Sequence, residues 1–148
     1  MNDRLDHARI LVPVDGSEGA LRAARIAGEI ARVTDGTVCF LYVALFDEST
    51  DEGEVAWLPE SVAGSTAEES QAIFAAAAAV LPEGVSHAAY RRAGAAAEEI
   101  LRFIDETGCD LVALGGRRSS RVSGILLGSV TQAVLERAQT RVLIAGQA

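Results

Sequence analysis

DLVALGGRRSSRVSGILLGSVTQAVLERAQTRVLIA, residues 110–145, holds one complete strand–helix–strand unit. Asp110 to Leu114 is a short apolar run ending in Gly115-Gly116, the pattern of a buried strand closed by a turn. A polar loop from Arg117 to Gly124 leads to Gly128-Ser129, where a helix opens with Leu127, Val130, Val134 and Ala138 on one stripe. Arg141 to Ala145 is again a short apolar strand. Two buried strands joined by a helix are parallel neighbours, because only a helical crossover returns the chain to the same end of a sheet.

The same rhythm runs back to the start of the chain. Ile10 to Val14 reads as a buried strand, and Ser17 opens a helix with Ala20, Ala23, Ala27 and Ile30 on one face. Arg22, Arg25, Glu29 and Arg32 occupy its other face, and Asp35-Gly36 ends it. Thr37 to Val43 is β-branched, aromatic and apolar throughout, so both its faces are expected to be buried. A second helix is expected from about Ser65 to Val80, stopped by Pro82-Glu83-Gly84. Val85 to Arg91 mixes polarities, as a sheet-edge strand does. A third helix sets Ala97, Ile100, Leu101 and Ile104 against Glu98, Arg102, Asp105 and Glu106. The tally predicts one α/β domain over residues 1–148, a five-stranded parallel sheet with helices on both faces. Residues 1–8 read as a flexible N-terminus. Residues 44–64 read as a long acidic loop, either a lid or a solvated connector.

Composition narrows the function. The 148 residues carry 13 basic and 21 acidic side chains, net −8, and every basic residue is arginine. Without lysine there is no P-loop lysine, no Schiff base and no receiver-type phospho-acceptor site that needs a late lysine. The negative balance argues against a nucleic-acid-binding surface. Residues 111–148 hold five arginines against Glu136 alone, a local net of +4, so the first 110 residues carry −12. A locally basic quarter on an acidic body suits a small anion. The lysine-free acidic composition fits a salt-rich habitat or a biased genome equally. No apolar run reaches the ~20 residues of a membrane span and no secretory signal opens the chain, so a cytoplasmic protein is expected. Cys39 and Cys109 read as buried thiols, and neither His7 nor His87 sits in a metal-ligand pattern, so the protein alone is expected to hold no metal.

In a doubly wound sheet, ligands bind beyond the carboxyl ends of the strands, where the strand order reverses. The loops after the first and fourth strands are therefore the places to look. Glycine at 115 admits a phosphate or ribose close to the backbone. Gly128-Ser129 offers free N–H groups, a hydroxyl and the positive end of a helix dipole, or else is no more than a capped helix start. Asp15, before Gly16-Ser17, faces a ligand or simply closes the turn.

VPVDGSEGALRAARIA (12–27), FLYV (40–43), AEEILRFIDETGCDLVALGGR (97–117) and ILLGSVTQAVLERAQTRVLIAG (125–146) together resemble the universal stress protein family, in order, over most of the chain. The resemblance implies sheet order 3-2-1-4-5. From its ATP-binding branch it implies adenosine near Pro13, Val14, Asp15 and Val43, with ribose and phosphates near Leu114, Gly115, Gly128, Ser129 and Val130. Mg²⁺ would arrive with the nucleotide, near Asp15. The family's motif has glycines at spacings that fall here on Gly115, Arg118 and Gly128 followed by Ser129, so Arg118 replaces the middle glycine. Its Cβ crowds the phosphate path and disfavours a positive φ by about 1 kcal/mol or more. Conversely, Arg117 or Arg118 supplies a charge-assisted phosphate contact, and Gly116 allows a shifted register.

No GxSxG, HExxH or GxGxxG constellation is present, so an ATP-binding regulatory protein of the stress response is the leading expectation, with slow hydrolysis at most. The alternative is a dimeric partner-binding module of the same fold that has lost nucleotide binding. Val142, Leu143, Ile144 and Ala145 would form an open apolar edge in a monomer, and the resemblance implies pairing of two such edges in a homodimer.

Overall fold

The structure, a computed structural model, describes residues 5–45, 60–118, 125–126 and 128–146, with backbone alone at 45, 60–66, 117–118 and 125–126. Its elements are β1 (Arg9–Pro13), α1 (Glu18–Thr34), β2 (Thr37–Leu45), α2 (Glu60–Ala79), β3 (Ser86–Gly94), α3 (Ala96–Thr107), β4 (Leu111–Gly115), β5 (Arg117–Arg118), β6 (Ile125–Leu126), α4 (Ser129–Arg137) and β7 (Arg141–Ala145). The main sheet runs β3-β2-β1-β4-β7 with every pairing parallel, which is the order 3-2-1-4-5 among its five strands. β5 and β6 form a separate antiparallel ribbon of two-residue strands, the first at the start of the segment read from sequence as a polar loop and the second just after its end. Two-residue strands carry no periodicity for a sequence pattern to reveal.

Alternation along the central strands sends side chains to two cores. Ile10, Val12, Val38, Phe40, Leu111 and Ala113 pack under α1 and α2, together with Ala23, Ala27 and Ala77. Leu11, Cys39, Leu41, Val112 and Leu114 pack on the other face with Ile100, Phe103 and Ile104 of α3 and Val134 of α4. Each fully buried large apolar side chain contributes about 1.5–3 kcal/mol. The alanine-rich face of α1 has the opposite virtue: small side chains let the helix lie close to the sheet. At its start the approach is backbone on backbone, since a Cβ on Gly115 would stand 2.3 Å from the carbonyl carbon of Gly19.

Several expectations shift. The second helix starts at Glu60 rather than near Ser65, with an acidic residue in its first turn where the helix dipole favours one. The acidic connector is correspondingly shorter, and residues 46–59 lie outside the described residues. Residues 1–4 do too. Beyond them the His7 N–H donates to Thr34 and Ala8 is fully buried, so the chain is tied down by position 7. On α3 the buried stripe is Glu99, Ile100, Phe103 and Ile104, rotated from the expected face, with Leu101 only half-buried. Phe103 explains the rotation: its large ring packs against Tyr90 at 5.1 Å and beneath the Arg92 guanidinium at 5.0 Å. Glu99 is tolerated in that stripe because Arg102 pairs with it.

The two edges differ as their sequences do. β3 is exposed along most of its length, whereas Val142, Leu143 and Ile144 of β7 are half-buried. Between them, β1 has β2 on one side and β4 on the other, so the strand order reverses between β1 and β4.

Candidate functional site

At the carboxyl ends of β1 and β4 the chain turns away in opposite directions and leaves a cleft of about 200 Å³. It is lined by Pro13, Val14, Asp15, Ser17, Ala20, Leu41, Val43, Ala96, Ile100, Leu114, Gly115, Val130 and Thr131. Seven residues expected from sequence meet here: Pro13, Val14, Asp15, Val43, Leu114, Gly115 and Val130. Ser17 comes with the turn after β1, and Ala20, Leu41, Ala96, Ile100 and Thr131 join without a sequence signal. Ile100 and Thr131 sit on helix faces that look like ordinary core stripes, and only the crossing of α3 and α4 over the sheet end brings them to the cleft.

The turn after β1 is built by hydrogen bonds. Gly16 takes φ +86°, Asp15 Oδ1 accepts from the Ser17 N–H at 2.9 Å, and Ser17 Oγ accepts from the Ala20 N–H at 3.2 Å. Asp15 is thus a turn residue that also lines the cleft. The Val14 N–H donates to the Leu41 carbonyl at 2.9 Å, which fixes the floor between β1 and β2.

Val130 and Thr131 of α4 line the cleft, whereas Gly128 and Ser129, also expected from sequence, do not. Gly128 opens α4 with extended backbone at φ −71°, ψ 165° and no side chain to cap the helix. Its first turn contains no acidic residue. The leading N–H groups of such a helix have no intrahelical partner, and they carry the positive end of the dipole. Gly128 has open space where a Cβ would stand, so the packing of the described residues does not demand glycine there.

Gly115 is different. The site that a Cβ would occupy is filled by Gly19 of α1, at 2.3–2.7 Å from three backbone atoms. Glycine at 115 is therefore required by the seating of α1, a role the sequence does not signal, and the residue also lines the cleft. Arg118, which replaces the family's middle glycine, lies in extended backbone paired with Ile125. Among the described residues only His7 and Asp35 take a positive φ without being glycine, so the expected strain at 118 does not arise. The side chains of Arg117 and Arg118 are outside what the structure describes.

An ion pair ties α3 to α4. Arg137 of α4 donates to Glu98 of α3 at 2.6 and 3.3 Å, and this hydrogen bond and charge hold the Glu98 carboxyl below its ordinary range. Beneath them, burial pushes the Cys109 thiol up to about 11 and raises Cys39 as well. Such thiols pack as apolar groups rather than nucleophiles. No cluster of three or more metal-ligating side chains occurs among the described residues.

The family model described as "Universal stress protein family" matches residues 7–146. The chain belongs to the universal stress protein family. A universal stress protein of Methanocaldococcus jannaschii is 32% identical over 142 residues, 93% of this chain and 81% of the relative. Among solved structures, a universal stress protein in complex with cAMP superposes with a TM-score of 0.65 at 23% identity, covering 97% of this chain and 99% of that one. A universal stress protein of Archaeoglobus fulgidus in complex with dAMP gives 0.63 at 19% identity, covering 93% and 96%. At those identities the likeness establishes the shared fold. Family membership gives the cleft its context: it lies where doubly wound sheets bind ligands, between two apolar walls and an uncapped helix start.

Proposed function

We propose that this universal stress protein binds an adenine nucleotide, ATP in its working state, and acts in the cytoplasm as a regulatory binding protein whose partner surface responds to the nucleotide. The observation that carries this reading is the union of an apolar cleft with the uncapped N-terminus of α4. Leu41, Val43, Ile100, Leu114 and Val130 offer an apolar slot for a base, while Asp15, Ser17 and Thr131 offer polar contacts to its sugar. The cleft is smaller than the roughly 300–1,000 Å³ of pockets that enclose a whole ligand, which suits a nucleoside held inside with its phosphates outside. The phosphates would then meet the N–H groups at Gly128, Ser129 and Val130, and the nearby Arg117 and Arg118 would add charge. Mg²⁺ would be carried by the phosphates, with Asp15 as the available carboxylate. The relatives in complex with cAMP and dAMP support an adenine ligand in this fold.

The test is calorimetric titration of nucleotide-stripped protein with ATP, with and without Mg²⁺. Micromolar affinity, about −8 kcal/mol, is the expected result. Absence of heat at millimolar ATP would overturn it and favour the alternative, a partner-binding dimer. That second reading draws on β7, an edge strand whose Val142, Leu143 and Ile144 remain half-buried and whose outer side has no strand neighbour among the described residues. Pairing of two such edges across a two-fold axis would cover it in either reading. Sedimentation equilibrium should accordingly give twice the 15.5 kDa chain mass.

A further inference from the structure

Arg22 stands near this site and takes no part in the cleft. It lies on α1, three residues after Gly19, and its Nη2 donates to the carbonyl oxygen of Gly116 at 2.9 Å. Its Nε is buried and makes no hydrogen bond among the described residues, and none of the ion pairs among them includes it. A guanidinium drawn half out of water without a counter-charge loses solvation, and a long side chain free to choose would extend its head into solvent. Something must hold it inward, and the contact that does so is the Gly116 carbonyl.

That carbonyl belongs to a peptide of particular consequence. Gly116 follows the last residue of β4, and its N–H is engaged by the carbonyl of Ala145 at 2.9 Å. The preceding carbonyl, of Gly115, faces the Thr131 hydroxyl at 3.4 Å. Two successive carbonyls at the end of β4 are thus addressed by side chains from helices on opposite faces of the sheet. Immediately afterwards the backbone enters the β5–β6 ribbon, which ends two residues before Gly128 opens α4. The plane of the 116–117 peptide therefore sets the direction in which the ribbon leaves the sheet.

We propose that Arg22 is a positioning residue for the phosphate side of the nucleotide site, aligning the ribbon and the start of α4 through its bond to Gly116. This rests on the nucleotide reading above and adds its control from α1. Because Arg22 does not line the cleft, its removal should disturb phosphates and spare the nucleoside.

The experiment compares adenosine and ATP as titrants for the wild-type chain, Arg22→Met and Arg22→Lys, with thermal melting of each to establish folding. If loss of this bond leaves the aligned ribbon and helix start populated about one-tenth of the time, Arg22→Met should bind ATP about ten times more weakly. Adenosine affinity should stay within about twofold, and Arg22→Lys, which can still donate to the carbonyl, should recover most of the loss. Equal loss for both ligands would mark Arg22 as merely structural and overturn the proposal. So would unchanged ATP binding in Arg22→Met. If Arg22→Met does not fold, Arg22→Lys decides: an ATP affinity between wild type and tenfold weaker, with adenosine unchanged, supports the role, and parallel changes refute it. Absence of binding of either ligand to the wild-type chain would overturn the nucleotide reading and this inference together, whereas wild-type binding with unaltered selectivity in the variants overturns this inference alone.

Discussion

Replacing Gly115 with alanine tests the seating of α1 on the sheet. The added Cβ would stand 2.3 Å from the carbonyl carbon of Gly19, 2.6 Å from its oxygen and 2.7 Å from its Cα. All three are backbone atoms near the start of a helix, so no rotamer change relieves the contact. Either α1 moves off β4 or the end of β4 bends. Overpacking of this kind costs about 1–3 kcal/mol, and a contact with backbone belongs at the upper end. For a chain of this size each kcal/mol lowers Tm by roughly 2–4 °C, so a fall of about 6–12 °C is expected. Differential scanning calorimetry of the ligand-free protein measures it, with Gly128→Ala as the comparison. Among the described residues Gly128 has free space, and its φ is −71°, so alanine there sacrifices only a helix-capping preference of under about 1 kcal/mol. A Gly115→Ala Tm within about 2 °C of wild type would refute the reasoning, because the helix would then have slack where the structure has contact.

Two further outcomes follow from the ion pair between α3 and α4 and from the core. The Glu98 carboxyl is held below its ordinary range by Arg137, so its stabilising contribution is present above the unfolded-state pKa and is lost as pH falls through the lower folded-state value. Wild type should therefore be more stable than Glu98→Gln near neutral pH, with the gap closing in urea melts run at progressively more acid pH; a gap that widens on acidification would contradict the pairing. Cys109, with its thiol near 11, and the buried Cys39 should resist an aromatic disulfide reagent at pH 8, where about one part in a thousand of the Cys109 thiol is ionised. Both should react fully in denaturant, and rapid labelling of the native chain would show that the core under α3 and α4 opens.

Much of the architecture was legible because each element carries its own signal. Val38 to Leu41 is a continuous apolar run and is buried throughout, whereas β3, with Arg91 and Arg92 among exposed neighbours, announces an edge. Ser17, Asp35 and Gly36 bracket α1 where the chain turns. The site was legible in part for the same reason: Pro13, Val14, Asp15, Leu114 and Gly115 close their strands, and strand ends are where this topology places ligands. Phe103 is not singled out by sequence because Ile100, Leu101, Phe103 and Ile104 are all apolar and the buried stripe depends on what lies beneath. Arg22 was assigned to the solvent face of α1 by periodicity, yet the Gly116 carbonyl draws it inward.

The sequence by itself determined the strand and helix order, the parallel sheet and the family, since hydrophobic period, turn chemistry and motif spacing are local properties of the chain. Tertiary structure alone decided why residue 115 is glycine, which way α3 faces and what Arg22 holds. Those answers depend on atoms distant in sequence, from Arg92 beside Phe103 to Gly19 beside Gly115, and steric exclusion and hydrogen-bond partnership exist only once the helices are laid across the sheet.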